Sequence, residues 1–295
     1  MWDDPRLDGR AHVFGASKIL DGTIREIARK RKHLTPFIRF LYNTWLYLDV
    51  LSSLSSGEDP YFLTLCASSS PSVSPISRAS SPLPNDPRSP DGSFNLHNEI
   101  DSLLGCAGDL FPLIARMSSI SNRLSEKIIT QQDVSAVSEA IQVRDELLEW
   151  QPPEMYTLQP SSDQHCSLDD VVRTAEVYRL TALLHLYRAF PPLGAITIPA
   201  LADQILNCLL LIPRDSGSLC IHIWPLMAAG CEHTDPIKRL LVRQRFEDIR
   251  ERLKVANVDK AIELLVEVWA RKDAGDLNAG WASLAREREW HLLLG

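Results

Sequence analysis

Residues 255–269 read VANVDKAIELLVEVW, and Val255, Val258, Ile262, Leu265, Val266 and Trp269 recur in it at mostly three- and four-residue steps. An α-helix turns about 100° per residue, so this spacing gathers the six side chains on one face. Asp259, Lys260 and Glu263 fall on other faces. A half-buried strand would need alternation at period two, and no convincing run of it is found in the chain. The stretch therefore reads as an amphipathic helix, and it sets the expectation for everything around it.

The same signal recurs over 100–124, 134–150, 168–190, 199–212, 219–231 and 237–253. Nearer the N-terminus, Leu34, Phe37, Ile38, Leu41, Trp45, Leu48 and Leu51 form another stripe, stopped by Ser52 to Gly57. Pro152-Pro153, Pro191-Pro192 and Pro213 end three of the runs, because the residue before a proline is pushed out of helical geometry. Asp169 and Asp170 open the 168–190 segment, where carboxylates oppose the positive end of the helix dipole. The fold class is all-α, an irregular multi-helix bundle of about nine or ten helices with no repeat of fixed length.

One stretch breaks the pattern. Residues 67–93 contain ten Ser and six Pro and almost nothing that could enter a core. They read as a long disordered loop, since the small polar residues bury too little apolar area to offset the entropy of ordering. The expected organisation is a single helical domain over 1–295, with N-terminal helices in 1–66, the loop at 67–93 and the main body in 94–295. Ser70, Ser74, Ser81 and Ser89 each precede a proline, as a proline-directed kinase requires, but a loop of this composition contains such pairs by chance.

With 295 residues, 45% of them hydrophobic, and a net charge of -7, the chain has the composition of an ordinary, mildly acidic globular protein. Charge is uneven: residues 94–235 carry -10 and residues 236–295 carry +2. A surface built for DNA displaces counterions with a basic stripe, and the main body shows none. The run Arg29-Lys30-Arg31-Lys32-His33 reads either as a nuclear-import signal or as the solvated last turn of a helix. The first ten residues contain no apolar leader core, and no run approaches 18 apolar residues, so neither secretion nor a membrane span is expected. Six cysteines, at 66, 106, 166, 208, 220 and 231, lie far apart with no C-x-x-C pair. They read as reduced core thiols of a cytosolic or nuclear protein.

The motifs that usually anchor nucleotide, hydrolase or metalloprotease chemistry do not occur. His165 precedes Asp170 at a spacing some acyltransferases use to pair a base with an orienting carboxylate, which leaves an enzyme as an alternative reading beside a helical scaffold without a regulatory role. Asp170 already has an explanation at a helix start, and two fixed residues are a weak pattern. Cys220 and His222, with Cys231 and His233, are types that bind zinc. On a helix, residues two apart face opposite sides, so buried cysteines and half-exposed histidines are expected instead. The carboxylate pairs Asp145/Glu146 and Asp169/Asp170 adjoin in sequence and do not face each other. The reading is of no catalytic, cofactor-binding or metal-binding residue, hence of no cofactor.

The segment from Ile223 to Glu232, IWPLMAAGCE, resembles a signature of the fungal-specific transcription factor domain, in which a Trp-Pro-Leu opening leads to Ala-Gly-Cys-Glu. Asn257-Val258, Val268-Trp269 and the closing WASLAREREWHLLLG (281–295) are similar to that family's last helices in order and spacing. His12-Val13-Phe14-Gly15-Ala16 and the segment from Asn43 to Leu51, with Trp45, Asp49, Val50 and Leu51, resemble two of its N-terminal segments. The resemblance implies a non-enzymatic helical regulatory region in the nucleus, acting on RNA polymerase II genes through transcriptional regulators or a partner subunit, as homo- or heterodimer. In the family such a region follows a basic module in which six close cysteines bind two zinc ions, and none of the six cysteines here has that spacing. Contact with DNA is therefore expected indirectly, or through a zinc cluster outside this sequence. The match beginning eleven residues after Met1 also implies that leading helices of the domain are missing. Trp224 and Trp269 are expected to be core residues.

Overall fold

A computed structural model describes residues 9–29, 35–68, 100–158, 165–292 and 294. Most of the Ser/Pro loop, all four Ser-Pro serines and residues 30–33 of the basic run lie outside them. The described residues contain eleven α-helices: α1 (Arg10–Arg29), α2 (Pro36–Ser56), α3 (Tyr61–Ser68), α4 (Phe111–Ser125), α5 (Val134–Glu149), α6 (Leu168–Ala189), α7 (Ile198–Leu211), α8 (Ile223–Gly230), α9 (Pro236–Leu253), α10 (Ala256–Asp273) and α11 (Trp281–Glu287). No strand is found among these residues, and the all-α class stands with one or two helices more than expected. No described helix is long and apolar enough to cross a membrane.

The helix ends follow local chemistry. Thr35 caps α2 by accepting the Ile38 amide at 3.3 Å, Pro36 occupies the first turn, where a missing amide costs nothing, and Gly57 closes the helix at φ 82°. Ser167 caps α6 by accepting the Asp170 amide at 3.1 Å. The three proline boundaries fall as expected, with α5, α6 and α7 ending at Glu149, Ala189 and Leu211.

Four expectations need correction. The helix anticipated from residue 100 begins at Phe111, because the Asp101 carboxylate accepts the Leu103 and Leu104 amides and Gly105 turns the chain at φ 57°. The run 219–231 is two elements, a 3-10 turn (Gly217–Ile221) and α8, separated at His222. Residues 67 and 68, assigned to the loop, close α3. The faces also shift: Val266 is 42% exposed on α10, whose buried positions are Asn257, Val258, Ala261, Leu264, Leu265, Val268 and Trp269. On α2 the N-terminal Phe37 is 66% exposed, whereas Trp45, Leu46, Tyr47, Val50, Leu51 and Leu54 are buried almost all round.

That all-round burial marks the centre of the fold. Helix α2 packs against α1, α3, α4 and α11, while α6 packs against α4, α5, α7 and α8. An aromatic chain links the two groups: Tyr47 to Phe111 at 5.7 Å, Phe111 to Tyr178 at 5.6 Å, and Tyr178 edge-on to Trp224 at 5.4 Å. The Tyr178 hydroxyl donates to the Ile221 carbonyl at 2.7 Å, so the polar end of this large side chain is satisfied inside the core. Asp49, fully buried, accepts the Tyr61 and Phe62 amides and so caps the start of α3.

Candidate functional site

Helix α8 is the signature segment, and all eight of its residues are buried. Its burial follows from composition: a short run of Ile, Trp, Leu, Met and Ala has no polar face, so neighbours must cover it on every side. Helices α6, α7, α9 and α10 do so. The Trp224 amide donates to the Leu294 carbonyl at 2.9 Å, which satisfies one of the free amides of the helix start with the C-terminal tail. At the other end the Gly230 carbonyl accepts the Trp269 indole at 2.8 Å. Trp224 and Trp269 are both core residues, as expected.

Glu232, the last residue of the signature, is buried between two cations. It is ion-paired with Arg188 of α6 and with Lys272 of α10, the latter at 2.8 Å. Glu232 and Lys272 side chains are 8% and 7% exposed, so the triad is mutually compensated rather than solvated.

The residues singled out for chemistry meet different fates. His165 is exposed, while Asp170 is buried and accepts the Ser216 hydroxyl at 2.8 Å. The Asp170 carboxylate thus ties α6 to the turn before α8, which gives it a positioning role. Of the adjacent carboxylates, Asp145 pairs with Arg144, Glu146 with Arg116 at 2.7 Å, and Asp169 with Arg173 at 2.6 Å.

The zinc-type residues differ from expectation in two respects. Neither Cys-x-His pair lies within an α-helix, so the opposite-face argument does not apply to them. Both histidines are buried rather than half-exposed: His222 sits 3.0 Å from the Thr174 hydroxyl, and His233 lies 3.5 Å from Asp203. Burial, with Arg245 adding repulsion, pushes the His222 pKa down to about 3 and keeps the ring neutral. Cys231 is buried and its thiol is pushed up to about 12, whereas Cys66 is exposed and Cys166, Cys208 and Cys220 are half-buried. The description as core thiols therefore holds for Cys106 and Cys231 alone. Among the described residues no three His, Cys, Asp or Glu side chains come together as a metal site.

A cavity of about 260 Å³ opens where α4, α6, α8 and α11 meet. Leu184, Ala228 and Trp281 supply apolar wall, and His185, Arg188, Glu232 and Arg286 supply the charged and titratable groups. His185 lies edge-on to Trp281 at 6.4 Å, and burial, with Arg188 and Arg286 nearby, pushes its pKa down to about 4. Sequence reasoning did not find this constellation. Its members lie in α6, α8, α11 and the turn after α8 with no common spacing, so the sequence offers no signal beyond the placing of Glu232 and Arg286 in segments that resemble the family.

The family model for the fungal-specific transcription factor domain matches residues 7–295. The chain belongs to that family. Its motifs are therefore structural: in this fungal-specific transcription factor domain the signature builds the buried α8 and the Glu232 triad, and Asp49 of the N-terminal motif caps α3. A transcriptional regulatory role follows from membership, and the family is typically non-enzymatic. Neither the curated proteins nor the solved structures include a match.

Proposed function

We propose that residues 1–295 form one helical regulatory domain that works in the nucleus by modulating RNA polymerase II transcription through protein partners, without catalysis. Contact with DNA would come through those partners or through a zinc-cluster module elsewhere. A homo- or heterodimer is the form in which such a domain would present its surface.

The observation that carries this reading is the family match across residues 7–295, supported by where the chain's most specific residues lie. Trp224, Gly230 and Glu232 are engaged in packing, backbone hydrogen bonds and a buried ion triad. Of the residues considered for catalysis, Asp170 accepts a buried serine hydroxyl, Asp145, Glu146 and Asp169 form ion pairs, and the His165 side chain is exposed. The outer surface is thus left to meet protein partners.

The test is to tether the full chain to a heterologous DNA-binding module and read a reporter in a fungal host. The expected result is a change in transcription in one direction, retained in His165→Ala and abolished by a core variant such as Trp224→Ala. An unchanged reporter with a folded, nuclear fusion would overturn the proposal in favour of a scaffold without transcriptional role. Substrate turnover that is lost in His165→Ala would overturn it in favour of an enzyme.

A further inference from the structure

The cavity between α4, α6, α8 and α11 carries more positive charge than its own carboxylate balances. Its charged lining is Arg188, Arg286 and Glu232, and Glu232 is already shared between Arg188 and Lys272. The Arg286 guanidinium, which lies beside Gly57 at the end of α2, makes neither a hydrogen bond nor an ion pair with any described residue; Glu126 acts on it through space alone. Burial lowers its pKa, the sign of a guanidinium partly withdrawn from water. A cation in that position normally gains a carboxylate or a carbonyl, because desolvation without a partner is unfavourable.

The remaining wall fits a particular kind of partner. Leu184, Ala228 and Trp281 are apolar, and the neutral His185 ring contributes one donor and one acceptor without adding charge. Ser125, Gln131 and Ser283 are exposed at the rim, so the space is reachable from solvent. Its volume of about 260 Å³ lies just under the usual range of roughly 300–1,000 Å³ for ligand pockets, which suits a small acid and excludes a nucleotide.

We propose that this cavity binds a small organic monocarboxylate, its charged end on the Arg286 guanidinium and its apolar body against Leu184, Ala228 and Trp281. The planar fork of arginine matches the two oxygens of a carboxylate, and one unbalanced positive charge calls for one negative charge. The site is independent of the transcriptional reading: a chain that binds the acid and leaves a reporter unchanged keeps the site and loses the function.

The test uses the full chain, with sodium hexanoate as probe, hexanamide as its uncharged counterpart and sodium sulfate as a bare anion, all at constant ionic strength. Binding is followed by the indole NMR signal of Trp281, assigned by its loss in Trp281→Phe. Hexanoate is expected to give a saturable shift, with hexanamide and sulfate weaker by about tenfold or more, as loss of a charge-assisted pair requires. Arg286→Gln should bring hexanoate down to the level of hexanamide with an unchanged melting temperature, and Arg286→Lys should retain part of the preference. Equal binding of hexanoate and hexanamide, sulfate binding as tight as hexanoate, or no saturable shift would each overturn the proposal. The comparison of probes on the unaltered chain decides the matter even where a variant folds poorly.

Discussion

Replacing Gly230 with alanine probes how closely α8 is locked against α9 and α10. A methyl group there would stand 2.8 Å from Val242 Cγ1 and 3.2 Å from Leu265 Cδ1. Carbon pairs rest at about 3.5–4.0 Å, so the overlap with Val242 is close to 1 Å. Valine in a helix has one strongly preferred rotamer, and Val242 is fully buried, so it cannot swing aside. Overpacking of this kind costs about 1–3 kcal/mol. Alanine recovers up to about 1 kcal/mol of helix propensity, and strain on the Trp269 bond to the Gly230 carbonyl takes back a similar amount. The net expectation is a loss of about 1–3 kcal/mol, or a melting temperature lower by roughly 2–6 °C. Urea unfolding of Gly230→Ala, Val242→Ala and the double variant closes a mutant cycle. The double variant should be more stable than the sum of the singles by about 1 kcal/mol, since the second change makes room for the first. Additive losses, or a Gly230→Ala protein as stable as the parent, would refute the packing argument.

Trp224→Ala and Trp269→Ala should each cost about 3–5 kcal/mol in urea unfolding, as for other buried large aromatics. Trp269→Phe should cost about 1 kcal/mol more than Trp224→Phe, because the Trp269 indole has an acceptor to lose and the buried Trp224 indole nitrogen has no partner among the described residues. Glu232→Gln should destabilise by about 3 kcal/mol by leaving Arg188 and Lys272 uncompensated, read from the chemical denaturation midpoint. His222 is neutral in the fold down to about pH 3 but titrates at 6.5 when unfolded. Its contribution is therefore complete above pH 6.5 and lost as pH falls, reaching about 2 kcal/mol of loss near pH 5. His222→Gln should flatten that acid slope. Asp49, raised to about 6 by burial, acts in the opposite sense between 3.8 and 6, so Asp49→Asn should steepen it.

Helix α10 shows how much of this was legible in the sequence. Its periodicity identified the element, but an apolar count cannot tell Val266, which faces solvent, from Leu264, which does not. The register of the buried face is fixed by neighbours that the pattern does not contain. The same limit explains α8, where apolar residues on both sides of His222 concealed the stop at that residue, whose ring meets the Thr174 hydroxyl. Helices α3 and α11 carry short patterns, with eight and seven residues, too few for a stripe to repeat. Proline and cap residues, by contrast, act within their own few positions, and those boundaries were readable. The cavity was not, because Arg286 and His185 gain meaning through distance in space rather than in sequence.

The Ser55 hydroxyl donates to the Leu292 carbonyl across 237 positions of the chain, and the Trp224 amide donates to Leu294. During synthesis, then, the Ser55 hydroxyl and the Trp224 amide lack these partners until Leu292 and Leu294 have cleared the ribosomal exit tunnel. Every nascent copy passes through a stage in which most of its helices exist and its last covering segment does not. Until that segment arrives, the unfinished fold offers apolar surface through which copies can associate.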